Sequence, residues 1–198
     1  MKVRDTRRED LAVVGPLHAR AFEGEIGPLV GPGYIEAFLE WFVGSPPAVS
    51  LIAEDAGQVV GYVFGAPNGY GPGLTRDLLP DIALGVLRNF PRILRHPSFR
   101  RQVRSRLANL VLRREPSSVF VDATPPGVFN LVGIGTAPSA RGKGVGRALV
   151  EAFCERAAGR TVMLDVFKDN AAARSLYERC GFRELVEEGR VIRMLKTP

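Results

Sequence analysis

Residues 130–149 read Asn130-Leu-Val-Gly133-Ile134-Gly135-Thr136-Ala-Pro138-Ser-Ala-Arg141-Gly142-Lys143-Gly144-Val145-Gly146-Arg147-Ala-Leu149. The segment passes from an apolar, strand-like run through a turn built on Gly142, Gly144 and Gly146 into a stretch with helical spacing. Alternating glycines carry no side chains, so their backbone N–H groups can converge on one point. The positive end of the following helix adds to the same field, and the turn is expected to hold a phosphate or pyrophosphate. Arg141, Lys143 and Arg147 place cations around it. Without an anion these cations would repel one another, which argues against a turn that serves geometry alone. Two other phosphate loops are excluded by spacing. Six residues, rather than four, separate Gly135 from Gly142-Lys143, and Gly144 stands where a nucleoside-triphosphate loop needs a hydroxyl for magnesium. In a dinucleotide fingerprint, Arg147 would occupy the third glycine position.

Beyond the turn, the helix extends to about residue 158 with Val145, Leu149, Ala152 and Phe153 inward and Gly159 at its end. Residues 161–167 are strongly strand-like, Asn170 caps a short helix ending at Cys180-Gly181, and strands near 182–185 and 191–195 follow. Upstream, a short strand at Val3 precedes a helix capped by Thr6 or Asp10, with Leu11, Val14, Leu17, His18 and Phe22 at three-and-four spacing. Glycines and prolines from Gly24 to Gly33 mark an irregular connection to a second helix over about 34–43. Segments 49–53 and 59–64, joined across Asp55 to Gly57, predict an antiparallel hairpin.

The chain has 198 residues, 45% hydrophobic and 24% charged, which fits one domain with a substantial core and excludes a disordered chain. The expected organisation is a single domain over 1–198 carrying a helical insertion at about 69–118. Formal net charge is +6. The insertion holds ten arginines against Asp77, Asp81 and Glu115, or +7, so the rest of the chain sums to −1. Within it, Gly69 to Gly73 reads as a flexible entry, Leu78 to Phe90 as helical, and Pro91 and Pro97 as breaks. A longer helix over 99–114 carries Phe99, Val103, Leu107 and Val111, and a short strand is expected at 119–122. No apolar run approaches the ~20 residues that cross a bilayer. The start, Met1-Lys2-Val3-Arg4-Asp5, is charged and lacks the apolar segment of a secretory signal, so none is expected. Cys154 and Cys180 form no disulfide framework, and no Cys/His group has zinc spacing. A cytoplasmic protein without a metal is expected.

The turn, with Thr136-Ala-Pro138 before it and Ala148-Leu149 after it, resembles the acyl-CoA signature of the GNAT superfamily of N-acyltransferases, whose core is Gln/Arg-x-x-Gly-x-Gly/Ala. Residues 169–182, Asp169-Asn170-Ala-Ala-Ala-Arg-Ser-Leu176-Tyr177-Glu-Arg-Cys180-Gly181-Phe182, are similar to the family's second motif. The resemblance covers 128–198 by motif and 1–68 by element order, and leaves 69–118 uncovered. It implies an α/β fold: a mixed, mostly antiparallel sheet splayed at its centre, with helices on both faces and the Arg-rich insertion added. It also implies acetyl transfer from acetyl-CoA, as co-substrate, to a primary amine. Ile134, Gly135 and Thr136 would pair with the pantetheine arm. Arg141, the backbone from Gly142 through Lys143, Gly144 and Val145 to Gly146, and Arg147 would hold the pyrophosphate. Asn170 would lie near the thioester, and Tyr177 would protonate the departing thiolate.

Some readings of the residues stand beside this. A strand that pairs with a ligand must leave its neighbour, and Gly133 and Gly135 suit such a splay. A phenol of pKa ~10 can hand a proton to a thiol of pKa ~8.5. Tyr177 could equally be a core side chain beside Leu176, and Asn170 a plain helix cap. Glu23, Glu25, Glu36 and Asp122 are candidate bases, none assignable; His18 reads as structural and His96 as a loop residue. Cys180 reads as filler at a helix end, which argues against a covalent cysteine mechanism. The insertion's arginines would favour an acidic or phosphorylated acceptor if they face the substrate. It could instead be a solvated hairpin, a homodimer element burying Phe99, Val103 and Leu107, or a contact with anionic lipid or nucleic acid; sparse aromatics argue against single-stranded nucleic-acid stacking, and neither nucleic-acid nor membrane contact is expected. The alternative function is a catalytically inactive CoA-binding sensor or scaffold whose basic insertion binds a polyanion.

Overall fold

The computed structural model describes residues 1–23, 25–95 and 127–198. The helix expected over 99–114, the strand at 119–122, His96 and Asp122 lie outside them. One sheet has the order β1-β2-β3-β4-β5-β7-β6. Its strands are β1 (Lys2–Asp5), β2 (Val49–Asp55), β3 (Gln58–Pro67), β4 (Phe129–Thr136), β5 (Val162–Phe167), β6 (Arg183–Glu188) and β7 (Val191–Lys196). All neighbours run antiparallel except β4 and β5, which are parallel. This is the mixed, mostly antiparallel sheet implied by the sequence.

Period-two alternation along the strands builds two cores. On one face Leu51, Val63, Leu131, Leu164 and Met194 meet Val145, Leu149 and Phe153 of helix Val145–Arg156. Helix Ala171–Arg179 packs beside it through Leu176 and Tyr177. On the other face Ile52, Tyr62 and Phe64 meet helix α1 (Leu11–Ala21) and helix α3 (Pro32–Gly44), which supply Val14, Leu39 and Phe42. Asp10 precedes α1, but its carboxylate turns back to accept from the Arg7 N–H (2.7 Å) and from Arg4 (2.7 and 2.9 Å) instead of capping the helix.

Two helices depart from expectation. The glycine- and proline-bearing connection contains a short helix, α2 (Ile26–Val30). Gly71-Pro72-Gly73 is the first turn of helix α4 (Gly71–Arg95), not a flexible entry, and the helix runs through Pro80 and Pro91. Each internal proline removes one helical hydrogen bond. Docking offsets that loss: Gly85 abuts Val30 so closely that a Cβ has no room, and the Asn89 amide donates to the Val30 and Gly85 carbonyls at 3.0 Å each. Trp41 Nε1 donates to Asp77 at 3.1 Å. In sequence order, helices Val145–Arg156 and Ala171–Arg179 are α5 and α6.

The sheet is irregular at its centre. β3 and β4 slip register so that Phe64 faces Gly133 while Gly65 faces Leu131, leaving Val132 as the extra residue of a bulge. β4 pairs with β5 only at Phe129↔Val162 and Asn130↔Met163. Beyond them β4 keeps β3 on one edge and, among the described residues, has no strand on the other. Gly133 and Gly135 have a reason that the sequence alone did not supply. A Cβ on Gly133 would stand 2.5 Å from the Phe64 ring, and one on Gly135 2.6 Å from the Tyr62 ring. Only glycine lets these aromatics lie across the strand.

Gly65 meets the Asn130 carbonyl and, at 2.5 Å, Phe153 Cζ wherever a Cβ is added, whereas Gly15 in α1 meets nothing within 4 Å. Gly65→Ala should therefore cost about 1–3 kcal/mol in urea unfolding. Gly15→Ala should gain up to about 1 kcal/mol. Equal midpoints for the two variants would contradict the packing described at the bulge.

Candidate active site

Where β4 and β5 part, a cleft of about 350 Å³ opens between them. Val132, Gly133 and Ile134 form one wall, and Asp165, Val166 and Phe167 the other. Asn170, Ala173 and Tyr177 close one end, while Phe22, Glu23 and Glu25 stand at the other face of the sheet. The cleft thus passes through the sheet, joining the α5/α6 side to the α1/α3 side.

Ile134, Gly135 and Thr136 lie on the part of β4 beyond the parting. Their β3 partners are Val63, Tyr62 and Gly61. The strand then runs into a 3-10 turn, Pro138–Ala140, and the glycine loop. Gly142 (φ 74) and Gly144 (φ 79, ψ 0) take left-handed backbone that other residues adopt only with strain. Nothing stands within 4 Å of a Cβ at either, so conformation and not crowding selects glycine there. The first helical bond of α5 runs from Ala148 N–H to the Gly144 carbonyl at 3.0 Å. The N–H groups of Val145, Gly146 and Arg147 therefore belong to the helix end that lacks intrahelical acceptors. Val145's side chain is buried in the core, so only its backbone can serve a ligand. Gly146 fits against α6, where a Cβ would stand 3.1 Å from Leu176 Cδ2. Arg141 and Lys143 are exposed beside the loop. Arg147 is exposed and paired with Glu151 at 2.7 Å, which raises its pKa and divides its charge between partner and loop.

Asn170 caps α6, its side chain accepting from Ala173 N–H at 3.1 Å, and also lines the cleft. Tyr177 is both a core residue, 5% exposed, and a cleft residue. Among the described residues its hydroxyl takes no hydrogen-bond partner. Burial, with a smaller contribution from Cys180, pushes its pKa up to about 12, so it keeps its proton at any physiological pH. Of the candidate bases, Glu23 and Glu25 line the cleft, while Glu36 stands exposed on α3.

Other polar groups of the cleft were not singled out by sequence. Asp165 points from the middle of β5 and is held by Arg193 of β7 through bonds of 2.9 and 3.0 Å. Arg190 lies 5.5 Å over the Phe167 ring and 3.9 Å from Asp169. A carboxylate interrupting one apolar strand and an arginine interrupting another, directly across from it in register, was the available signal. On the α1 side, His18 Nδ1 and the Tyr62 hydroxyl lie 3.0 Å apart. His18 is packed among Phe22, Phe38, Tyr62 and Phe64 at centroid distances of 4.6–5.8 Å, and burial lowers its pKa to about 4.

The family model described as "Acetyltransferase (GNAT) family" matches residues 18–182, which takes in the parted strands, the glycine loop and α6. The chain belongs to the GNAT acetyltransferase family. N-alpha-acetyltransferase RimI of Mycobacterium tuberculosis is 39% identical over 62 residues, which are 31% of this chain and 39% of that protein's length. An N-acetyltransferase from Staphylococcus aureus Mu50 superposes with TM-score 0.66 at 15% identity, over 98% of this chain and all of the other. Ribosomal-protein-alanine N-acetyltransferase from Brucella melitensis superposes with TM-score 0.59 at 19% identity over the whole of both chains. At these identities the structural likeness establishes the shared GNAT fold. Among the described residues no helix is long and apolar enough to cross a membrane, and no group of His, Cys, Asp or Glu is arranged to hold a metal.

His18 gives this GNAT domain a pH signature. Its folded pKa lies below the usual 6.5, so the unfolded chain binds more protons between those values. The stability it contributes is present above about pH 6.5 and is lost as pH falls toward 4. Urea unfolding at pH 7 and pH 5 should show a loss of about 2 kcal/mol that the His18→Gln variant lacks. Parallel pH profiles for the two proteins would contradict a buried, neutral His18.

Proposed function

We propose that the chain transfers the acetyl group of acetyl-CoA to a primary amine by direct attack, with Tyr177 as general acid. The observation that carries the proposal is proximity: the open edge of β4 leads, through the 3-10 turn Pro138–Ala140, to the turn at Gly142 and Gly144, with Tyr177 across the cleft. An extended chain bearing amides can pair with an open strand edge, as peptides do, and pantetheine is such a chain. A diphosphate suits the N-terminus of α5, where converging N–H groups and the helix dipole meet Arg141 and Lys143. The donors present therefore fit the carrier at both ends.

In this reading Ile134, Gly135 and Thr136 bind the pantetheine arm, and residues 141–147 the pyrophosphate. Asn170 stands beside the thioester. The neutral amine nitrogen forms a bond to the acyl carbon, and the carbon–sulfur bond breaks. The departing thiolate takes the phenolic proton of Tyr177, the proton released from nitrogen leaves to water through the open cleft, and the Tyr177 phenolate regains a proton from water. Burial raises the Tyr177 pKa, and the same dry surroundings raise that of the leaving thiol, so donor and acceptor move together. Most of the rate comes from holding two reactants in one cleft. A retained, protonated tyrosine in the cleft favours catalysis over the sensor or scaffold reading.

The acceptor approaches from the α1 side, past Glu23 and Glu25. Carboxylates there attract an ammonium group. Arg76, Arg88 and Arg95 of α4 are exposed and are not cleft residues, so these three arginines do not select a phosphorylated acceptor. The relative's name, an N-alpha-acetyltransferase, is a reason to include an α-amine among the primary amines to be tried.

Tyr177→Phe should lower kcat by about 10²-fold or more while leaving acetyl-CoA affinity within about twofold. Unchanged turnover would remove the acid from Tyr177. Because its pKa is near 12, no loss of the acid should appear in kcat as pH rises to about 10. Gly144→Val forces a β-branched residue into left-handed backbone and should weaken acetyl-CoA binding at least about tenfold by isothermal titration. Full affinity in that variant would refute the loop assignment.

A further inference from the structure

Beside the cleft, on the α1/α3 face, lies a second cavity of about 170 Å³. Its walls are ring faces and aliphatic groups: Phe22, Tyr34, Phe38 and Phe64, with Ile35 and Val132. His18 lines it too, but Nδ1 is engaged with the Tyr62 hydroxyl, so its imidazole presents an uncharged ring. Among the described residues Glu25 is the sole carboxylate of the lining. Phe22, Glu25 and Val132 line both this cavity and the cleft between β4 and β5, so the two spaces adjoin at those residues.

Size, chemistry and position together define an occupant. An apolar cavity of ~150 Å³ accepts a benzene ring. Rings on several sides favour offset or edge contacts with another aromatic group. The cavity adjoins the cleft at a carboxylate, where an ammonium would be held. We propose that this cavity is the acceptor's side-group subsite, and that the preferred acceptors are primary amines carrying a benzene-sized apolar group two or three bonds from the nitrogen. Glu25 draws the ammonium to the shared mouth, the ring enters between Phe22, Tyr34 and Phe38, and the nitrogen, after giving a proton to water, faces the parted strands as the neutral amine. The inference rests on the acetyl transfer proposed above and adds the acceptor's class to it.

Gly27 supplies a variant that reads the cavity directly. It lines the wall, and a Cβ there would stand 3.7 Å from Tyr34 Cε1, an ordinary contact, so a larger side chain can grow into the space without disturbing the core. Thiol release from acetyl-CoA should be followed with phenethylamine, ethylamine and an amino-sugar phosphate. Burying a phenyl group predicts a kcat/KM for phenethylamine about 10- to 100-fold above that for ethylamine. Gly27→Leu should collapse that ratio toward one. A ratio near one in the unaltered protein, a ratio unaffected by Gly27→Leu, or faster turnover of the phosphorylated amine overturns the subsite and leaves acetyl transfer standing. If no amine releases thiol, transfer itself has failed, and titration calorimetry with phenethylamine decides the cavity: binding that Gly27→Leu abolishes supports it, and absence of binding overturns it.

Discussion

The structure depends on β4 leaving β5 two residues after they meet. Peptide N–H and C=O groups are costly to bury without partners, so a strand edge opened inside a sheet must face either water or a ligand. Every other feature of the site is placed by that parting. It sets Tyr177 and Asn170 across from Ile134, admits the carboxylates of Glu23 and Glu25 from the opposite face, and aims the end of β4 at the start of α5. The 3-10 turn Pro138–Ala140 links the end of the open edge to the glycine turn, where the helix terminus of α5 begins.

The parting persists because each side is held by its own neighbours. β4 is registered against β3, and the Tyr62 and Phe64 rings lie over Gly135 and Gly133. β5 is registered along its whole length against β7, with Asp165 and Arg193 joined across the pair. A cross-strand ion pair that is largely screened from water on the arginine side, 8% exposed, fixes this register more firmly than a surface pair would. Closing the cleft would require the bulge at Val132 to be removed and both aromatics to be moved off the glycines.

What the sequence shows clearly is local. Gly142, Gly144 and Gly146 announce a turn because positive φ and close packing demand glycine at fixed offsets, and Asn170 announces a helix start because its side chain satisfies an N–H three residues on. The apolar spacing of β4, α5, β5 and α6 placed those elements within a residue or two. What it hides is set by distant partners. α2 and the unbroken α4 stand against the usual meaning of proline, because Gly85 and Asn89 dock onto Val30 some sixty residues away. Gly133 and Gly135 look like hinge residues until the rings opposite them are seen. The aromatic cavity is assembled from His18, Phe22, Tyr34, Phe38 and Phe64, which are scattered in sequence over two helical segments and a strand.

The open edge of β4 and the amides from Gly142 to Gly146 should together bind one carrier molecule. The decisive experiment is a crystal structure of the protein grown with desulfo-CoA, which lacks the sulfur and cannot react. Density is expected to extend along residues 134–136, with the diphosphate against the N-terminus of α5 and the truncated end of the arm between Asn170 and Tyr177. Density at any other place on the protein, with β4's edge and the glycine turn bare, would show that the parted strands do not hold the carrier.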